Sequence, residues 1–123
     1  SAPLSALQQM GRAAPEDAAA WAQRELWSPC FRVQVVGTTG AGDSTIAGFL
    51  AALLRGLSAA EAVTAAVAVG ACNVEAADSL SGVRSWDETW NRVRSGWPQH
   101  DLDLHEKDWV WNAGDRMWIH PAL

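Results

Sequence analysis

One segment constrains the fold of this 123-residue chain more than any other, because an alternating run, a glycine-rich turn and an apolar helix follow one another without a break. In residues 31–36, Phe31, Val33 and Val35 alternate with polar residues, the pattern of a strand with one buried face. The turn occupies residues 37–43. The apolar residues after it share one helical face: Ile46, Phe49, Leu50, Leu53 and Leu54. We therefore expect an α/β domain.

Three more helices are predicted around this segment. Apolar residues at helical spacing indicate a helix that begins at Pro15 and is ended by Pro29. Two Ser-x-x-Glu capping boxes mark the starts of two others: Ser58 with Glu61, and Ser85 with Glu88. The first of these helices is apolar almost all round, which predicts that it is buried on most sides.

The C-terminal tail has a different character and contains several of the eight tryptophans. Residues 109–111 and 117–119 flank a turn at 112–115, which predicts a Trp-rich β-hairpin. We divide the chain into a first part at 1–98 and a tail at 99–123. The tryptophans either cover a sheet edge of the same chain, form a homodimer contact or stack on a sugar, and we favour the first alternative.

Charge and composition exclude several classes of function. The net charge of −5 and the absence of a basic cluster argue against nucleic-acid binding. No apolar run is long enough to cross a bilayer, and the start of the sequence lacks the pattern of a signal peptide. Cys30 and Cys72 have no metal-ligand spacing, and three scattered histidines (His100, His105 and His120) predict surface positions. We expect a cytoplasmic protein that is not associated with a membrane.

The glycine-rich turn is the segment that can carry chemistry. A strand that leads through such a turn into a helix directs backbone N–H groups toward the positive end of the helix dipole, and this favours anion binding. Gly40 and Gly42 allow the backbone to approach a phosphate closely. Asp43 then either caps the helix or accepts a proton from an attacking hydroxyl group.

The run from residue 35 to residue 63, VVGTTGAGDSTIAGFLAALLRGLSAAEAV, resembles the second signature of the PfkB family of carbohydrate kinases. The resemblance covers roughly residues 31–95 and becomes looser toward its end. It implies a ribokinase-like, three-layer αβα sandwich, of which this chain would be the C-terminal portion. It also implies ATP-dependent phosphorylation of a hydroxyl group on a sugar or related carbohydrate, with Mg²⁺ arriving with the ATP.

The resemblance assigns roles by position. Asp43 matches the catalytic base, and Gly40, Ala41 and Gly42 match the anion hole for the transferred phosphoryl group. Four further residues are expected near substrate or nucleotide: Thr38, Thr39, Asn73 and Gly82. For Asn73, Glu75 and Asp78 we favour the alternative that polar residues mark the solvent end of a buried helix. No side-chain metal site is predicted.

The sequence also departs from the family pattern. Gly37 stands where members often carry an acidic residue linked to a monovalent cation, so a potassium site would depend on backbone carbonyls. The upstream Asn-x-x-Glu motif and the sugar-covering lid do not occur in these residues. We therefore expect a C-terminal fragment with little activity by itself. The alternative is a non-catalytic nucleotide-binding or interaction module derived from this family.

Overall fold

The structure is a computed structural model that describes residues 2–104, 106 and 108–121. Its helices are α1 (Leu4–Gln8), α2 (Ala18–Trp21), α3 (Ala41–Leu54), α4 (Ala59–Asn73) and α5 (Trp86–Arg94), with a 3₁₀ turn at Gly11–Ala13. Its strands are β1 (Arg24–Trp27), β2 (Val110–Asn112) and β3 (Met117–Pro121). The chain is thus a mixed structure of helices and one small sheet.

The helices α3 and α4 form the centre of the molecule because small residues let them approach closely. A Cβ at Gly48 would lie 2.8 Å from the carbonyl oxygen of Ala65, so only glycine fits there. The buried alanines Ala52, Ala62 and Ala65 continue this contact. The large side chains that surround it are Trp21, Phe49, Leu57, Trp86 and Trp90. Both predicted capping boxes are confirmed, at the starts of α4 and α5.

A second core cluster joins α4 to the segments on either side of it. The rings of Phe31 and Trp97 stack with centroids 4.6 Å apart, and the indole N–H of Trp97 donates to the carbonyl oxygen of Arg32 at 2.9 Å. These rings cover the buried residues Ala68, Ala71 and Cys72. The cluster fixes residues 31–33 against α4 immediately before the glycine-rich turn.

The predicted strand at residues 31–36 is wrong for this structure. Phe31 forms a single bridge with Gln99, and beyond it the segment has no strand assignment. Within the described residues no strand runs alongside it, and an isolated strand cannot satisfy its backbone groups. The N–H of Val36 instead donates to the carbonyl oxygen of Val74 at 2.8 Å. Val35 is left 60% exposed.

The predicted helix from Pro15 to Pro29 is wrong over most of its length. The observed helix, α2, runs only from Ala18 to Trp21, and Gln23 then adopts a left-handed φ of 54°. Arg24–Trp27 is instead the strand β1, which pairs antiparallel with β3. The hydrogen bonds of this pairing come from residues more than ninety positions away, which local periodicity cannot reveal.

The sheet has the order β1-β3-β2, and both pairings are antiparallel. In the register, Trp118 on β3 lies opposite Trp27 on one side and Trp111 on the other. The sheet therefore ties the C-terminal tail to β1.

The division at residue 98 stays a prediction, and His105 lies outside the described residues. No helix in the described ranges is both long and apolar enough to cross a membrane.

Candidate active site

The glycine-rich turn ends at Gly40, which is the N-cap of α3. Gly40 has φ 76° and ψ 3°, a left-handed conformation that side chains disfavour. This conformation lets the N–H of Ala41 donate to the carbonyl oxygen of Thr38 at 3.2 Å. The carbonyl oxygen of Gly40 accepts from the N–H of Ser44 at 2.9 Å. The turn therefore directs the chain straight into α3.

The next two backbone N–H groups have no acceptor. Among the described residues, none accepts a hydrogen bond from the N–H of Gly42 or of Asp43. They lie in the first turn of a helix of 14 residues, where the helix dipole is positive. A Cβ at Gly42 would meet nothing within 4 Å, so a ligand can reach this backbone. This geometry suits an anion at the N–H groups of Gly42 and Asp43, whereas the N–H of Ala41 is already bonded to Thr38. The anion hole expected at Gly40, Ala41 and Gly42 stays a prediction.

Asp43 is the third residue of α3, and its side chain is exposed. It makes no hydrogen bond or ion pair with any described residue. The alternative that Asp43 caps the helix is wrong, because the N-cap is Gly40 and carries no side-chain cap. A carboxylate that is free of protein partners is available to accept a proton from a ligand.

Asp43 opens onto a groove of about 340 Å³. The walls are formed by two helices and by the loop that follows α4: Gly40, Asp43, Ser44, Ala47, Val69, Ser79, Leu80 and Val83. The loop and the turn are in tight contact, since a Cβ at Gly40 would lie 2.9 Å from the Cβ of Ser79. The sequence did not identify Ser79, Leu80 or Val83, because nothing local shows that this loop returns to the start of α3.

Asn73 holds that loop from inside the protein. Its side chain is fully buried, and its Nδ2 donates to the carbonyl oxygen of Ser79 at 2.7 Å. A Cβ at Gly82 would lie 2.7 Å from the carbonyl oxygen of Asn73, so the loop folds directly back onto the end of α4. The interpretation of Asn73 as a solvent-end residue is therefore wrong. Asn73 does not line the groove, but it supports the loop that does.

Asp78 organises the same loop by a short turn. Its Oδ1 accepts the N–H groups of Leu80, at 2.9 Å, and Ser81, at 2.6 Å, and its Oδ2 accepts the Ser81 hydroxyl. These bonds, led by the Ser81 hydroxyl, lower the pKa of Asp78 from 3.8 to about 2. The loop is thus held by two side chains, by Asn73 at Ser79 and by Asp78 at residues 80 and 81.

Glu75 does not line the groove at Asp43 and instead pairs with a residue of α5. It forms a bidentate ion pair with Arg92 on α5, with one N–O distance of 2.9 Å. The guanidinium of Arg92 also lies 3.6 Å above the Trp97 ring. Hydrogen bonding from Arg92 lowers the pKa of Glu75. The pair fixes the end of α4 to α5 and to the core.

The predicted residues Thr38 and Thr39 lie exposed on the turn before Gly40. The carbonyl oxygen of Thr38 accepts the N–H of Ala41, as described above. The hydroxyl groups of Thr38 and Thr39 make no hydrogen bond to a described residue. Both are therefore free to meet a ligand at the mouth of the anion site.

ATP, Mg²⁺ and a monovalent cation each require different groups from these residues. The two unpaired N–H groups and the positive helix end fit the phosphates of ATP. Among the residues described, no group of three or more His, Cys, Asp or Glu side chains could hold a metal ion, so Mg²⁺ would have to be held mainly by those phosphates. A monovalent cation fits less well. A Cβ at Gly37 would lie 2.8 Å from the carbonyl oxygen of Ala77, which leaves no room for an acidic side chain.

A family model described as pfkB family carbohydrate kinase matches residues 16–85, which is more than half of the chain. The matched range includes the glycine-rich turn, α3, α4 and the loop that walls the groove. No curated protein matches the chain significantly.

Proposed function

The chain belongs to the pfkB family of carbohydrate kinases, and from this premise we propose that it acts in the ATP-dependent phosphorylation of a hydroxyl group on a sugar, a sugar acid or a nucleoside-like acceptor. One observation carries the proposal. Two N–H groups at the positive end of α3, those of Gly42 and Asp43, and the exposed Asp43 carboxylate next to them have no partner among the described residues. An anion site beside a free base is what phosphoryl transfer to an alcohol requires.

In this proposal Asp43 accepts the proton of the acceptor hydroxyl as its oxygen attacks the terminal phosphorus atom. A positioned base of this kind accounts for about 10²–10⁴ in rate. The backbone N–H groups of Gly42 and Asp43 stabilise the negative charge on the transferred group, which is worth about 3 kcal/mol per donor in comparable anion holes. Gly40 and Ala41 set the direction of these groups.

The nucleotide would extend from this anion site along the groove. Leu80 and Val83 offer apolar surface to an adenine ring, and Leu80 is 75% exposed. Thr38 and Thr39 would contact the phosphates or the acceptor. Asn73 and Gly82 would act indirectly, because they shape the loop that carries Leu80.

We further propose that these elements are the C-terminal part of a ribokinase-like, three-layer sandwich. The support is a set of apolar side chains that such a sandwich would cover: Val35, Val36, Ile46, Leu50 and Leu54. The most exposed of these five side chains is Leu54, at 83%. Free Cys30 and Cys72 favour a reducing, cytoplasmic location.

The test is to measure Mg·ATP binding and phosphoryl transfer with Asp43→Asn. Transfer to a panel of sugars, sugar acids and nucleosides is followed with the 123-residue chain and with the full translation product of its gene. We expect slow or no transfer by these 123 residues alone, since the described residues form little of an acceptor pocket. In the full product, Asp43→Asn should abolish transfer and retain Mg·ATP binding.

Asp87→Asn is the matched control, because Asp87 is also an exposed aspartate in the first turn of a helix. It should leave both binding and transfer unchanged. Transfer that survives Asp43→Asn would contradict the role of Asp43. Mg·ATP binding with no transfer by any form of the protein would favour the non-catalytic nucleotide-binding alternative.

A further inference from the structure

Four tryptophans of the small sheet share one face. Trp118 lies opposite both Trp27 and Trp111 in the register, and opposed residues point to the same side of a sheet. Trp109, immediately before β2, lies on that side as well, because its ring contacts the ring of Trp27. We call these four residues the tryptophan face. Three of them lie beyond the range that the family model matches.

The tryptophan face is partly open to solvent. Trp27 is 51% exposed and Trp111 is 41% exposed. The rings support one another, with Trp111 and Trp118 centroids 5.5 Å apart and Trp27 and Trp109 centroids 6.3 Å apart. The indole N–H of Trp118 donates to the carbonyl oxygen of Leu102 at 2.8 Å, which fixes its ring. A preformed aromatic surface of this size in water is typical of a binding site.

A groove of about 650 Å³ runs beside this face, and it does not include Asp43. Trp111 and Trp118 form its aromatic wall, and the polar residues that line it include Gln99, His100, Asp101 and Arg116. Asp101 is fully exposed, and its ion-pair contact with Arg32 is loose, at 3.7 Å. Arg116 is held in place by a 2.8 Å hydrogen bond from its guanidinium to the carbonyl oxygen of Trp97.

This combination indicates the chemistry of the ligand. A sugar ring has two faces of C–H groups, which pack against an indole, and a rim of hydroxyl groups, which donate and accept hydrogen bonds. Trp111 supplies the flat apolar surface. Asp101 supplies acceptors for hydroxyl groups, and His100 is an exposed polar neighbour. A contact with a second copy of the chain is the alternative occupant of this face, and self-association would reveal it.

We propose that the groove between Trp111 and Asp101 is a saccharide-binding site separate from the groove at Asp43. It binds one or a few neutral sugar rings, stacked on Trp111 and hydrogen-bonded to Asp101. The site does not depend on the proposed kinase activity, because none of the residues that line this groove lines the groove at Asp43.

The test is an NMR titration of the 123-residue chain that follows the tryptophan indole N–H signals. The probes are glucose, mannose, xylose and N-acetylglucosamine, together with cellohexaose, mannohexaose, xylohexaose and chitohexaose. We expect at least one probe to shift the signals of Trp111 and Trp118, with a dissociation constant of about 1 mM or tighter. Trp21, which packs against Phe49 and does not line this groove, should not respond.

Three variants keep the test decisive. Trp111→Ala should weaken binding about tenfold, the loss of roughly one aromatic stacking contact. Asp101→Asn, at a fully exposed position where folding is not at risk, should weaken it several-fold. Trp27→Ala is the control, because Trp27 is also an exposed tryptophan but lies on the opposite edge strand, β1, and does not line the groove. It should retain binding within about twofold.

Two results would overturn the proposal. One is the absence of any shift at Trp111 and Trp118 with all eight probes. The other is self-association, measured by analytical ultracentrifugation, that Trp111→Ala abolishes while no saccharide binds, since the face would then be a contact between copies of the chain.

Discussion

Gly40 and Ser79 are packed so closely that a Cβ at position 40 would lie 2.9 Å from the Cβ of Ser79. This contact joins the start of α3 to the loop after α4, two parts of the chain that are 39 positions apart. The groove at Asp43 exists because of it.

Gly40→Ala should destabilise the protein by about 2 kcal/mol, because alanine is strained at a positive φ and also meets Ser79. Urea denaturation monitored by tryptophan fluorescence measures this change. Gly96→Ala separates the two causes, since Gly96 also has a positive φ, 89°, but a Cβ there meets nothing within 4 Å. It should cost about 1 kcal/mol. Equal losses in the two variants would mean that the Ser79 contact adds nothing.

Asn73→Ala should cost about 2 kcal/mol, because it removes a buried donor and leaves the carbonyl oxygen of Ser79 without its partner. Hydrogen exchange of the backbone N–H groups in residues 79–83 should accelerate more than exchange elsewhere. Asn91→Ala is the control, since Asn91 lies exposed on α5 and should change stability by less than about 0.5 kcal/mol. A uniform change in exchange would show that Asn73 acts on the whole fold and not on the loop.

Glu75→Gln should make stability less dependent on pH in acid. Hydrogen bonds from Arg92 lower the pKa of Glu75 in the folded protein below its ordinary value of 4.5. The stabilisation that follows is fully present above that value and is lost as the pH falls through the folded pKa. Urea denaturation at neutral pH and at a series of pH values below 4.5 measures it. Asp87→Asn, which removes a carboxylate without an ion pair to a described residue, should keep the wild-type slope.

Asp78 should titrate with a midpoint of about 2 rather than 3.8, because Ser81 and Leu80 donate hydrogen bonds to its carboxylate. The turn is therefore held above pH 3.8 and released as the pH falls toward 2. The side-chain carboxyl carbon signal in an NMR titration reports the midpoint directly. Asp78→Asn keeps an acceptor oxygen and should hold the turn without this pH dependence. A midpoint at the ordinary value would contradict the hydrogen bonds.

Local signals in the sequence predicted the parts of the fold that local interactions determine. The starts of α4 and α5 follow from Ser58 and Ser85, whose capping partners are three residues away. Strands were expected at 109–111 and 117–119, and the structure has β2 at Val110–Asn112 and β3 at Met117–Pro121. The helix at Ala41–Leu54 follows from the turn and the apolar face after it.

Features that depend on distant partners could not be predicted. The apolar spacing around Leu26 is compatible with a helix, and only its pairing with Ile119 makes the segment a strand. Residues 31–36 have the alternation of a strand but no strand beside them among the described residues. The candidate site divides in the same way. Asp43 and its glycines are one continuous motif, whereas the groove wall at Leu80 depends on the buried side chain of Asn73.

The most direct test of the central claim, that the start of α3 binds a phosphoryl group beside a free carboxylate, is a titration with Mg·ATP that follows the backbone N–H signals. We predict shifts at Gly42 and Asp43, and tighter or unchanged binding in Asp43→Asn, which loses a repelling charge. The N–H signals of Asp87 and Glu88, in the first turn of α5, should not move. Unchanged signals at Gly42 and Asp43 on saturation with Mg·ATP, or equal shifts at α5, would contradict the account.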